Sequence, residues 1–150
     1  MTDTSIEHQA RRAVMRICAA ADRGELADLV ALLDGGDVAD LRPAEMGLVM
    51  LRGRIGGEGA PFNVGEATVV RAAVQTAGGE QGFAYHLGRD RAKARLAAIV
   101  DAYWGRHSSR ALVESRVAAI AERLQRHART EAERTAATRV NFFTMARGED

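Results

Sequence analysis

The sequence predicts an α+β fold: an N-terminal helical hairpin, an antiparallel β-meander of three to four strands, two C-terminal helices and a projecting C-terminal arm. Three observations carry this. Apolar residues recur at helical spacing before residue 36 and again between 90 and 124. The period shifts to two between 46 and 87. A stretch polar on every face, Gln125 to Arg139, then precedes a short apolar end. At 150 residues the chain fits one domain. Its sections run 1–36 (helical hairpin), 37–88 (sheet), 89–138 (helices) and 139–150 (apolar tail).

The first helix opens on "TSIE", Thr4 to Glu7, a capping-box pattern. Ile6, Ala10, Ala13, Val14, Ile17 and Ala21 continue it at helical spacing, and Gly24 is its expected end. Leu26, Leu29, Val30 and Leu33 make a short second helix, stopped by Gly35 and Gly36. In "EMGLVMLRGRIGG" the odd positions Gly47, Val49, Leu51, Gly53 and Ile55 are the expected core face of a strand. "VADLR", just before Pro43, reads as a separate edge strand. Thr68, Val70, Ala72 and Val74 form one face of the next strand; Ala67, Val69, Arg71, Ala73 and Gln75 form the other. In "QGFAYHLG", Phe83, Tyr85 and Leu87 are expected inside, with Ala84 and His86 outside. Asp90 caps a third helix whose face is Leu96, Ile99, Val100 and Tyr103 and whose end is Gly105. A fourth begins near Ser109 with the seam Val113, Val117, Ile120 and Leu124.

Charge and composition exclude several classes. With 21 basic and 20 acidic residues the net charge is +1, against the basic excess of a bulk nucleic-acid binder. Lys93 is the only lysine, so Schiff-base or phosphate-loop chemistry has one candidate. Cys18 stands alone, which rules out an intrachain disulfide and a cysteine-pair zinc site and suits a reducing compartment. No run approaches a membrane span, and the N-terminus lacks an apolar signal core. The expectation is a cytoplasmic, soluble protein with no membrane or nucleic-acid partner.

The candidate chemistry centres on "RIGGEGAPFNVGE", Arg54 to Glu66. A phosphate loop needs Gly-Lys-Ser/Thr opening onto a helix. Here there is no lysine, and a strand follows. The dinucleotide pattern fails too, since Gly57 and Gly59 lack a third glycine and a helix. Two readings stand: a glycine-loosened hairpin loop, or a loop with an aromatic anchor that docks on a partner. If the expected faces hold, Arg52, Arg54, Arg71 and His86 share one sheet face with Met46, Leu48 and Val69. Such a face is covered, either by the chain's own helices with Glu45, Glu58 or Glu66 pairing the arginines, or by an anion held in guanidinium forks. The candidate contact residues are therefore Arg52, Arg54, Gly56, Gly57, Gly59, Phe62, Glu66, Arg71 and His86. The four histidines lack metal-ligand spacing, and no serine sits in a nucleophile elbow, so no catalytic residue and no metal ligand is assigned. In the tail, Val140, Phe142, Phe143 and Met145 either fold back as a strand or anchor the chain on another.

The segments "RPAEMGLVMLRGRIGGEGAPFNVGEATVVRAAV" (42–74), "YHLGRDRAKARLAAIVDA" (85–102) and "RVNFFTMARGED" (139–150) resemble the PhnG family, the small subunit of the bacterial carbon–phosphorus lyase system. The resemblance covers about two-thirds of the chain; 107–138 and, beyond its general character, the N-terminal helix pair are outside it. It implies an accessory subunit acting with PhnI, PhnH and PhnL in a two-fold symmetric heteromeric complex. Together they displace adenine from ATP by an alkylphosphonate, giving ribose 1-phosphonate 5-triphosphate. A radical S-adenosylmethionine subunit, PhnJ, then cleaves the carbon–phosphorus bond. The resemblance places the chemistry on the large subunit and assigns no catalytic residue here. This chain would bind no cofactor of its own, with ATP a substrate of the complex. The rival expectation is a free-standing phosphate- or phosphonate-binding module built on the arginine face.

Overall fold

A computed structural model describes residues 3–33 and 36–138. Gly35 and the tail residues Val140, Phe142, Phe143 and Met145 lie outside them. The element order is α1 (Asp3–Ala20), α2 (Arg23–Ala31), β1 (Val38–Arg54), β2 (Pro61–Thr76), β3 (Gln81–Leu87), α3 (Arg91–Gly105) and α4 (His107–Ala137). The expected α+β architecture is present.

The first helix break is set by an aspartate, not a glycine. Asp22 is extended and precedes α2, and its N–H donates to the Glu25 carboxylate at 2.9 Å. That capping-box pair starts a new helix at Arg23, one residue before Gly24, which falls inside α2. Thr4 likewise stands within α1 and not at its cap.

The three strands form an antiparallel sheet in the order β1-β2-β3. "VADLR" is not a separate strand: β1 runs unbroken from Val38 through Pro43 to Arg54. A proline without an N–H is tolerated because β1 is an edge strand, and the register shifts between Arg42 and Glu45, around it. A further shift follows Leu51, where Leu51 pairs with Gly65 and Arg52 with Asn63, leaving Val64 as the extra residue of a bulge.

One face of the sheet is covered by helices. The core gathers Val70, Ala72 and Val74 of β2, Ala84 of β3, nearly every side chain of α3, and Val14, Cys18, Leu26 and Leu29 from the first two helices. α4 adds its expected seam, Val113, Val117 and Ile120. Helix α3 is buried almost all round because it lies between the sheet and the other three helices. Its start is as expected, with the Asp90 carboxylate accepting from Lys93 N–H at 2.9 Å.

The inward face of β3 is the reverse of the expected one. Gly82, Ala84 and His86 point to the helices, while Phe83, Tyr85 and Leu87 are exposed. Close approach is the cause. A Cβ on Gly82 would stand 1.9 Å from the Ala98 carbonyl oxygen and 2.4 Å from the Ala102 nitrogen. The alanine-rich side of α3 lies so near β3 that only small side chains fit between, and the large ones turn to the open face. The odd positions of β1 are also not core. Gly47 and Leu51 are exposed, and so are Met46, Leu48 and Met50.

Past Gln125, α4 continues to Ala137 with its residues exposed. It leaves the body as a bare helix about 20 Å long.

Candidate functional site

The candidate region is the outer half of the β1–β2 hairpin. β3 pairs only with Val69–Gln75 of β2. Beyond Val69, β1 is the one strand among the described residues that pairs with Pro61–Thr68, so Leu48–Arg54 and their partners form a two-stranded ribbon. Six residue steps give it a length of about 20 Å. Both of its faces are open. Leu48 is 63% exposed, Val64 61% and Ile55 76%, with Met50, Leu51 and Phe62 exposed as well. Gly53 is demanded by the bulge, because a Cβ there would lie 2.7 Å from Val64 Cγ2.

The glycine loop at the ribbon tip is a closed turn. Gly56 and Gly57 have φ of 63° and 82°, the left-handed region that excludes most side chains. Gly59 N–H donates to the Ile55 carbonyl at 3.1 Å, and Arg54 donates a guanidinium N–H to the Gly59 carbonyl, also at 3.1 Å. A side chain on Gly59 would meet Ile55 O at 2.7 Å. The glycines thus serve the turn, and Arg54 braces it. Phe62 follows immediately, opposite Gly53.

The arginine face does not form as expected. Arg71 pairs with Tyr85 across the ladder and with Glu45 on the other side, on the open face. His86 pairs with Val70 and points into the helices. Met46 and Leu48 pair with Val70 and Thr68, so they do not share a face with Val69 and Arg71. The cause is the reversal of β3 together with the actual register of β1. Arg71 is also engaged: its Nε donates to Glu45 at 2.6 Å, and Arg42 donates to the same carboxylate at 2.7 Å. Hydrogen bonds from Arg42 and Arg71 hold the Glu45 carboxyl below its usual range. Of the three expected acidic partners, Glu45 takes the role. Arg52 and Glu66 are exposed on the ribbon, Glu66 opposite Met50. The structure brings Arg52, Arg54, Gly56, Gly57, Gly59, Phe62 and Glu66 together and leaves Arg71 and His86 elsewhere.

Two residues with chemically capable side chains, Lys93 and Cys18, are structural. The ammonium of Lys93 donates to the Ala19 carbonyl at 2.7 Å, capping the end of α1. Cys18 is fully buried, and burial, with help from nearby Asp101, pushes its thiol up to about 12. Among the described residues no three His, Cys, Asp or Glu side chains converge as a metal site, and no helix is long and apolar enough to cross a membrane.

Sequence reasoning missed two features. One is Asp101, 2% exposed, which binds Arg11 and accepts from Phe83 N–H at 2.8 Å. A lone aspartate within an apolar helix run, "AAIVDAYW", was the available signal. The other is the groove between α1 and β3, which no sequence pattern marks.

These features define a small α+β protein: a helix-backed sheet whose hairpin extends into an apolar ribbon. The family model described as "Phosphonate metabolism protein PhnG" matches residues 9–148. The chain is 53% identical over 141 residues to the alpha-D-ribose 1-methylphosphonate 5-triphosphate synthase subunit PhnG of Rhizobium meliloti (strain 1021), covering 93% of this chain and 90% of that protein. The chain belongs to the PhnG family.

Proposed function

We propose that this chain is an accessory subunit of a synthase that transfers ribose 5-triphosphate from ATP to an alkylphosphonate with release of adenine, and that its ribbon is the element that docks on the catalytic subunit. The single observation behind this is the ribbon's two open apolar faces. A lone two-stranded ribbon is marginal in water. Burying each of its large side chains is worth about 1.5–3 kcal/mol, so several together offset much of the cost of association. The name carried by the Rhizobium meliloti relative, a subunit of such a synthase, supports the assignment.

In this reading the turn braced by Arg54 and anchored by Phe62 meets the large PhnI-type subunit near the place where that subunit does its chemistry. Arg52 and Arg54 are the candidates for contact with substrate phosphate. PhnH- and PhnL-type subunits complete the synthase, a PhnJ-type subunit acts on its product, and the tail residues Val140, Phe142, Phe143 and Met145 provide a second anchor. The isolated chain is not catalytic and binds no cofactor. The compartment is the cytoplasm, where ATP is available.

Co-expression with the large subunit tests this. The expected result is a co-purifying complex whose adenine release from ATP and methylphosphonate collapses when this chain is omitted. Full activity without it, or failure of the two chains to co-purify, overturns the proposal.

A further inference from the structure

We infer that the groove between α1 and β3 binds an extended, acidic and apolar segment of a partner subunit by strand addition to β3. Only the attribution to a partner subunit rests on the function proposed above. The groove and its chemistry stand on four observations.

First, β3 is a sheet edge with backbone groups to spare. Phe83 N–H points away from β2, since it donates to Asp101. The strand alternation then turns the N–H and C=O of Tyr85 and Leu87 to the same outer edge. Gly88 N–H donates to Thr68 O, in keeping with that alternation. Asp101 occupies the edge only at Phe83.

Second, the space beside that edge is open and apolar. An outer groove of about 620 Å³ is bounded by Ala13, Met15, Ala19 and Tyr85. It shares Met15, Ala19 and Tyr85 with an inner pocket of about 200 Å³ that reaches Ala97 and His86.

Third, His86 in the wall of that pocket is 7% exposed, and its Nε2 has no hydrogen-bond partner among the described residues. Buried polar groups are rarely left so. A polar group arriving from the groove would complete it.

Fourth, the rim is positively charged. Arg12 and Arg16 stand one turn apart on α1, both exposed and both lining the outer groove. Neither has an acidic partner among the described residues, whereas Arg11 beside them is engaged by Asp101. Charge complementarity selects carboxylates for the occupant. The free strand edge favours an extended peptide over a compact anion, because only a peptide pairs with both the N–H and C=O groups of Tyr85 and Leu87.

The test uses the full chain and a defined probe. A hexapeptide alternating aspartate with valine or phenylalanine is titrated against the labelled protein, with its lysine counterpart, ATP and inorganic phosphate as separate arms. The expected result is saturable shifts of the Tyr85 and Leu87 amides and of the His86 ring with the acidic peptide alone. The double variant R12E/R16E should weaken them about tenfold or more. Both positions are exposed on α1, so its circular dichroism should match the parent. Four outcomes overturn the inference: no amide shift at millimolar acidic peptide, equal binding of the lysine peptide, equal binding by R12E/R16E, or shifts produced by ATP or phosphate and not by peptide. Concentration-dependent shifts without any probe would assign the groove to a second copy of this chain and also overturn it. None of these results depends on whether the chain co-purifies with a synthase, so the two proposals fail separately.

Discussion

Arg11 of α1 closes a two-point ion pair on Asp101 of α3, with Nε 2.8 Å from Oδ1 and a terminal nitrogen 2.6 Å from Oδ2. Asp101 Oδ2 also accepts from Phe83 N–H. One carboxylate therefore joins α1, α3 and the edge of β3. Its burial is compensated by three hydrogen bonds. Asp101→Ala removes all three and leaves the Phe83 N–H without its partner. We expect a loss of about 3 kcal/mol in denaturant unfolding, with Asp101→Asn losing less. A change below 0.5 kcal/mol for the alanine variant would falsify this account of the joint.

Gly82 makes a second stability prediction. With the Ala98 carbonyl 1.9 Å from any Cβ, Gly82→Ala must push α3 off the sheet. We expect a loss of about 3 kcal/mol or more, or failure to fold. Gly24, with nothing near its Cβ position, is the control. Gly24→Ala in α2 should be neutral or stabilising, as read by melting temperature.

The thiol of Cys18 should be silent in the native protein. Buried and held protonated to about 12, it presents no thiolate at neutral pH. Thiol reagents should label it at the rate of unfolding and no faster. Rapid labelling under native conditions would contradict the packing of α1 against α3.

Two groups make stability fall as pH falls, each in its own window. Burial, then Lys93, depresses His86 below the ordinary 6.5. The unfolded chain takes that proton first, so the histidine subtracts stability as pH falls below about 6.5. His86→Leu removes both this slope and the unpartnered nitrogen. It should raise stability by about 1 kcal/mol at neutral pH and by more in mild acid. Glu80 is held down to about 2 by hydrogen bonds from Arg106 and then Thr76. Its contribution is present above its ordinary 4.5 and is lost as pH falls toward 2. Glu80→Gln should flatten that acid limb, measured as melting temperature against pH.

The ribbon separates assembly from folding. Leu48, Met50 and Val64 are exposed in the free chain. Replacing any of them by serine should leave its melting temperature within the small range of surface substitutions. If the ribbon docks, each replacement weakens association about tenfold or more. Unchanged affinity across all three would remove the ribbon from the interface.

How much of this could be read beforehand follows from where the determinants lie. The helices of the C-terminal half were legible because Asp90, Gly105 and the seam Val113, Val117 and Ile120 are local signals. The even face of β2 was legible for the same reason, and it is the one that joins the helix-packed core. The face of β3 was not, because the alternation of Phe83, Tyr85 and Leu87 with Gly82, Ala84 and His86 is symmetric until the partner helix is known. The alanines of α3 and Gly82 together were the clue: small residues on both elements mark a close contact, and large ones are then expelled from it. The site split the same way. The loop glycines and Arg54 could be grouped from sequence because they are neighbours. Placing Arg71 and His86 with them required a register that only the folded sheet supplies, and that register separates them.

Strand β2 is both the middle of the helix-backed sheet and one side of the ribbon. The ribbon is therefore threaded into register by the core before any partner arrives. Its conformational entropy is lost during folding of the chain and not at the encounter, so the arm meets its partner as a shaped object. An apolar arm of this kind can bind fast and hold on, where a floppy loop of the same composition would have to be ordered first.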